Sequence, residues 1–102
     1  MYKQISMAEA KEIMSTEKDY ILLDARTQEE YADGHIPGAI CVPNETIGTV
    51  PPGQLPDKEQ MVLVYCRSGS RSKQAAAKLA AMGYTNIVEF GGIMDWNGAI
   101  EK

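Results

Sequence analysis

Four short apolar runs set the rhythm of this chain: Tyr20-Ile21-Leu22-Leu23, Ala39-Ile40-Cys41-Val42, Met61-Val62-Leu63-Val64-Tyr65 and Asn86-Ile87-Val88-Glu89-Phe90. Each is too brief for a helix and shows little in/out alternation, which predicts strands covered on both faces. Pro43 cuts off the second run and Gly91-Gly92 turns the chain after the fourth.

Between the runs the spacing changes to that of helices. Ser6-Met7-Ala8-Glu9 is a capping box, and Met7, Ala10, Ile13 and Met14 then recur on one face while Lys11 and Glu12 face water. Thr27-Gln28-Glu29-Glu30 is a second capping box, opening a short helix that Gly34 terminates. Lys73 to Met82 is rich in strong helix formers, with Ala75, Leu79 and Met82 on one face and Gly83 as the stop. Ile93 to Ile100 is expected to form a last short helix that carries Trp96 into the core. The Gly- and Pro-rich stretch from Asn44 to Lys58 reads as an irregular surface connection.

Strands that alternate with helices imply a mainly parallel sheet with helices on both faces, and in such sheets ligands bind beyond the carboxyl ends of the strands. The run from Met61 to Tyr65 delivers Cys66 to that edge. At 102 residues, 44% hydrophobic and 24% charged, the chain has the size and composition of one globular domain, residues 1–102. No apolar stretch is long enough to cross a bilayer and the first residues lack the apolar segment of a secretory signal, so a cytoplasmic protein with reduced thiols and no membrane association is expected. A monomer is the default expectation.

Charge narrows the choice of partner. The net charge is −4, which disfavours nucleic acid, yet Arg67, Arg71, Lys73 and Lys78 follow Cys66 with no intervening acid. A small basic patch on an acidic background favours a small anion arriving at one spot. No cofactor or metal is expected: Cys41, Cys66 and His35 lack ligand-pair spacing, and the phosphate-loop ending Gly-Lys-Ser/Thr is missing.

The loop Cys66-Arg67-Ser68-Gly69-Ser70-Arg71-Ser72 joins a strand to a helix whose first-turn N–H groups are free to face an anion. Gly69 permits tight curvature, Ser68 and Ser70 are small enough to cap the helix, and Arg67 and Arg71 add full charge. A thiol in that field is expected to fall from a pKa of about 8.5 toward roughly 3.5–7.5, which makes Cys66 a nucleophile. The same amides can hold an anionic group brought by the substrate.

Leu22-Leu23-Asp24-Ala25-Arg26 leading through Glu30-Tyr31 to Gly34-His35-Ile36-Pro37-Gly38-Ala39, the Cys66–Ser72 loop, and Gly91-Gly92 with Trp96 together resemble a single-domain rhodanese over nearly the whole chain. The resemblance implies an α/β, rhodanese-like fold with a five-stranded, mainly parallel sheet. It also implies a ping-pong sulfurtransferase. Cys66 would take sulfane sulfur from a donor such as thiosulfate, polysulfide or a persulfide, and a thiol, cyanide or a sulfur-accepting protein would remove it. Arg67, Ser68, Gly69, Ser70 and Arg71 would bind the donor, and Asp24 with Arg26 would lock the loops. Within the same pattern His35 reads as a hydrogen-bonding turn residue and Cys41 as a core residue.

Two other readings stand beside this one. A persulfide carrier or regulatory module would dock a partner and turn over small molecules poorly. The cell-cycle phosphatases and arsenate reductases that resemble this architecture have a loop one residue longer than the four residues between Cys66 and Arg71, and the phosphatases carry histidine where this chain has Tyr65.

Overall fold

The computed structural model describes residues Met1–Lys102. A five-stranded sheet forms its centre. In chain order the elements are β1 (Lys3–Gln4), α1 (Met7–Thr16), β2 (Tyr20–Asp24), α2 (Gln28–Asp33), β3 (Ile40–Cys41), β4 (Met61–Cys66), α3 (Ser70–Ala81) and β5 (Ile87–Gly92). Single 3₁₀ turns occupy Asn44–Thr46 and Ile93–Asp95. The strands run in the order β1-β5-β4-β2-β3 and every pair is parallel.

Side chains of β4 alternate between two cores. Val62, Val64 and Cys66 point into a cluster with Leu23, Ala75, Ala76 and Leu79 under α3, while Leu63 and Tyr65 point into a cluster with Ala10, Leu22, Val88 and Phe90 under α1. Both faces of the central strands are therefore dry, which is why their sequences read as continuous apolar runs. Both capping boxes form: Ser6 Oγ accepts from Glu9 N–H and Thr27 Oγ1 from Glu30 N–H, with each glutamate reaching back to its cap.

Four expectations change. β1 was not foreseen, because Lys3 and Gln4 are exposed polar residues with no apolar signature; the strand exists through ladder bonds to Val88 and Glu89 of β5. The last helix does not form. Beyond the turn at Ile93–Asp95 the chain is extended at Trp96, whose ring is half-buried at the edge of the α1 core, with its Nε1 donating to Ala99 O at 2.9 Å. Lys11, expected to face water, places its ammonium 5.1 Å above that ring and contacts Asn97. Finally, α3 begins at Ser70 rather than Lys73, so Arg71 and Ser72 belong to its first turn.

A buried polar knot closes the carboxyl edge of the sheet. Asp24 is fully buried, and its carboxylate accepts from Arg26 N–H at 2.9 Å, from Arg26 Nε at 3.0 Å and Nη2 at 2.7 Å, and from Tyr65 O–H at 2.8 Å. Arg26 also donates to Gly34 O, and Tyr65 Oη accepts from Ile36 N–H. The Asp24–Arg26 lock expected from the sequence is thus present, with Tyr65 as an additional member.

Replacing Asp24 with alanine leaves the Arg26 guanidinium buried without its carboxylate, and a loss of about 3–5 kcal/mol is expected. Urea denaturation followed by circular dichroism measures it; a loss below ~1 kcal/mol would show the knot to be incidental.

Candidate active site

Cys66 is the last residue of β4 and is 1% exposed. Its Sγ accepts Gly69 N–H at 3.0 Å and lies 3.4 Å from Ser72 Oγ. Burial opposes ionisation of the thiol, but the Ser72 hydroxyl and the backbone N–H groups of Ser72, Gly69 and Ser68 outweigh it, so the pKa is lowered from its ordinary value. The predicted cradle of amides exists. Its strongest favourable contribution, Ser72, lay outside the residues selected from the sequence.

Neither Ser68 nor Ser70 caps α3. The N-cap is Gly69 at φ +117°, a conformation that side-chain-bearing residues rarely adopt, and no side chain bonds the first-turn amides. Those amides remain open toward the sulfur. The loop is seated from behind by β5: a Cβ on Gly92 would stand 2.1 Å from Arg67 O, and Met94 N–H donates to that same oxygen at 3.1 Å. Gly92 is therefore a packing requirement of the cysteine loop, whereas Gly91 is needed for its backbone at φ +102°.

Behind Ser72 lies a second unforeseen residue. Glu89 is buried, and its Oε2 sits 2.6 Å from Ser72 Oγ and accepts Gly91 N–H at 2.8 Å. Ser72 Oγ also lies 3.0 Å from Gly69 O, so its single proton has the thiolate, the Glu89 carboxylate and that carbonyl as alternative acceptors. An acid inside the apolar run Ile87-Val88-Glu89-Phe90 was the available signal, since a buried carboxylate needs partners.

The basic residues separate in space. Arg67 and Lys73 are exposed, whereas Lys78 is tied to Asn44 O and Oδ1 at 2.9 and 3.0 Å and so anchors the surface connection instead of joining the patch. Arg71 forms a bidentate pair with Glu30, Nη1 to Oε1 at 2.6 Å and Nη2 to Oε2 at 3.0 Å. That pair pushes Glu30 down to about 2 and raises Arg71. His35 is the turn residue expected, with Nδ1 2.9 Å from Tyr31 O, Nε2 3.3 Å from Glu101 Oε1, and its ring stacked on Tyr31.

Cys41 departs from the core assignment. It is only partly buried, at the wall of a surface cavity of about 290 Å³ with Gln28, Thr46 and Val50, and burial is the main cause that pushes its thiol up to about 11. In register with Asp24, whose carboxylate meets Tyr65, it lies on the sheet face opposite Cys66. No surface cavity opens on Cys66; the largest, about 490 Å³, is lined by Glu17, Tyr20, Pro37 and Ile40.

Comparison with known proteins agrees with this arrangement. The family model of the rhodanese-like domain matches residues 6–99, and the chain belongs to that family. A sulfurtransferase of Allochromatium vinosum is 36% identical over 97 residues, covering 94% of this chain and 89% of its own. Thiosulfate sulfurtransferase PspE of Escherichia coli is 38% identical over 73 residues, 72% of this chain and 70% of its own. A solved structure described as a rhodanese with anions from E. coli superposes with a TM-score of 0.73 at 35% identity, covering 81% of this chain and 98% of that one. No helix is long and apolar enough to cross a membrane.

Two outcomes are expected. Ser72→Ala removes the hydroxyl that favours the thiolate, so the pH midpoint of Cys66 alkylation moves upward; an unmoved midpoint would leave the amides as the sole cause. Because Glu30 is depressed from 4.5 to about 2 in the folded state, its contribution to stability is complete above the ordinary carboxylate value and is lost as pH falls through that window. In E30Q the stability–pH curve should be flatter between those values, as read by urea midpoints.

Proposed function

We propose that the protein is a sulfurtransferase in which Cys66 carries the transferred sulfur as a persulfide. The observation that supports this most directly is the Cys66 sulfur held by the Gly69 amide and the Ser72 hydroxyl at the open start of α3. The sulfurtransferase names of its relatives, one of them a thiosulfate sulfurtransferase, point the same way.

In the first half-reaction the Cys66 thiolate attacks the outer sulfur of thiosulfate. An S–S bond forms, the S–S bond of the donor breaks, and sulfite leaves with the electron pair. Charge is conserved, because one thiolate and a dianion give one persulfide anion and a dianion. In the second, an acceptor thiolate attacks the terminal sulfur and Cys66 leaves as the thiolate; cyanide in the same role gives thiocyanate.

Each loop residue has a distinct task in this scheme. The amides of Ser68, Gly69 and Ser72 hold negative charge on sulfur before and after transfer, so no general base is needed in the attack. Gly69 keeps the bend open, and Ser70 begins the helix whose N-terminus favours the anion. Arg67, exposed and without an ion pair, meets the oxyanion end of the donor. Arg71 holds the loop in place through Glu30.

Cys66→Ser should abolish sulfur transfer from thiosulfate while leaving the folded circular-dichroism spectrum unchanged. Intact mass after brief thiosulfate or polysulfide treatment should show a gain of one sulfur on the wild type, reversed by reductant and absent in C66S. Retained turnover in C66S would sink the proposal. Transfer to partner proteins with none to small thiols would favour the carrier reading over an enzyme of small substrates.

A further inference from the structure

The two arginines of the cysteine loop look equivalent in the sequence, and the fold makes them different. Arg67 is exposed and unpaired, while Arg71 is committed to Glu30 through two charge-assisted bonds, with the side chains only 27% and 29% exposed. The counter-ion is itself fixed. Glu30 Oε1 accepts Thr27 N–H at 3.1 Å and lies 3.2 Å from Thr27 Oγ1, so the carboxylate that holds Arg71 also closes the cap of α2.

An anion seeking Arg71 must therefore displace a preorganised carboxylate that cannot swing away without opening a helix cap. Glu30 remains ionised across neutral pH, because the Arg71 hydrogen bonds hold it near the bottom of the carboxylate range. Cys66 and Glu45 also act on the charge of Arg71, so the guanidinium stands within electrostatic reach of the thiol while most of its charge is already answered.

We infer that Glu30 sets donor selectivity at this site: by occupying Arg71 it weakens the hold on dianionic donors such as thiosulfate and favours donors that present sulfane sulfur on an uncharged or singly charged stem, as organic persulfides do. The substrate side of this inference rests on the sulfurtransferase reading above. The electrostatic side does not.

Alkylation of Cys66 separates the two. Iodoacetate and iodoacetamide share a leaving group and differ in charge, so the ratio of their rates cancels the thiolate fraction and reports how well the site receives an anion. Glu30→Gln keeps a residue compatible with the capping box and removes the charge. The iodoacetate-to-iodoacetamide ratio should rise ~1.5–5-fold over wild type, as expected for release of a partly exposed ion pair. The gain should vanish in the R71A/E30Q double variant, and the KM for thiosulfate should fall in E30Q by a similar factor with kcat less affected. Glu30→Ala gives the same reading should E30Q fail to fold. An unchanged ratio in the folded variant, or a gain that survives loss of Arg71, would overturn the inference. If the wild type transfers sulfur from no donor, the function proposed above falls while the alkylation ratio still decides the role of Glu30.

Discussion

The buried carboxylate of Asp24 is the constraint on which the rest of the site depends. A charge in a dry interior is tolerated only when its lone pairs are filled, and here Arg26 and the Tyr65 hydroxyl fill them. Satisfying that one group aligns the ends of two neighbouring strands, brings Gly34 and Ile36 against them through Arg26 and Tyr65, and leaves the phenol far less acidic than usual, chiefly through burial. Because Tyr65 is fixed on one face of β4, strand alternation commits Cys66 to the other. The cysteine is aimed before its own loop makes any contact.

What the loop then adds is a contest between burial and dipoles. Enclosing the thiol disfavours the thiolate, and the amides of Ser68, Gly69 and Ser72 with the Ser72 hydroxyl favour it by more. Such a balance requires the amides to be unpaired elsewhere, which is why a glycine N-cap without a side-chain cap suits this helix although it would be a poor start for an ordinary one. The close seat on Gly92 fixes the bend from the other side. Function here resides in backbone geometry more than in side-chain charge.

Much of this was legible in the sequence, and the failures have common causes. Both capping boxes, strands β2 to β5, the α3 stop at Gly83 and the placement of Cys66 follow from local patterns that tertiary structure did not override. β1 was invisible because a two-residue edge strand of Lys3 and Gln4 is specified by its partner. The expected helix after Gly92 failed because Asn97 and Gly98 interrupt it beyond a single turn. Within the site, the positions of Cys66 and Gly69 could be read from strand-loop-helix grammar. The partnership of Ser72 with Glu89 and that of Arg71 with Glu30 could not, since each joins residues far apart in sequence.

The two thiols occupy opposite faces of the sheet, and the one at position 41 is a poor nucleophile at neutral pH. Should peroxide convert Cys66 to a sulfenic acid, no resolving cysteine within the chain can reach it to form an internal disulfide. Rescue from oxidation must come from outside, by a low-molecular-weight thiol or a reducing protein that reaches the bend at Cys66.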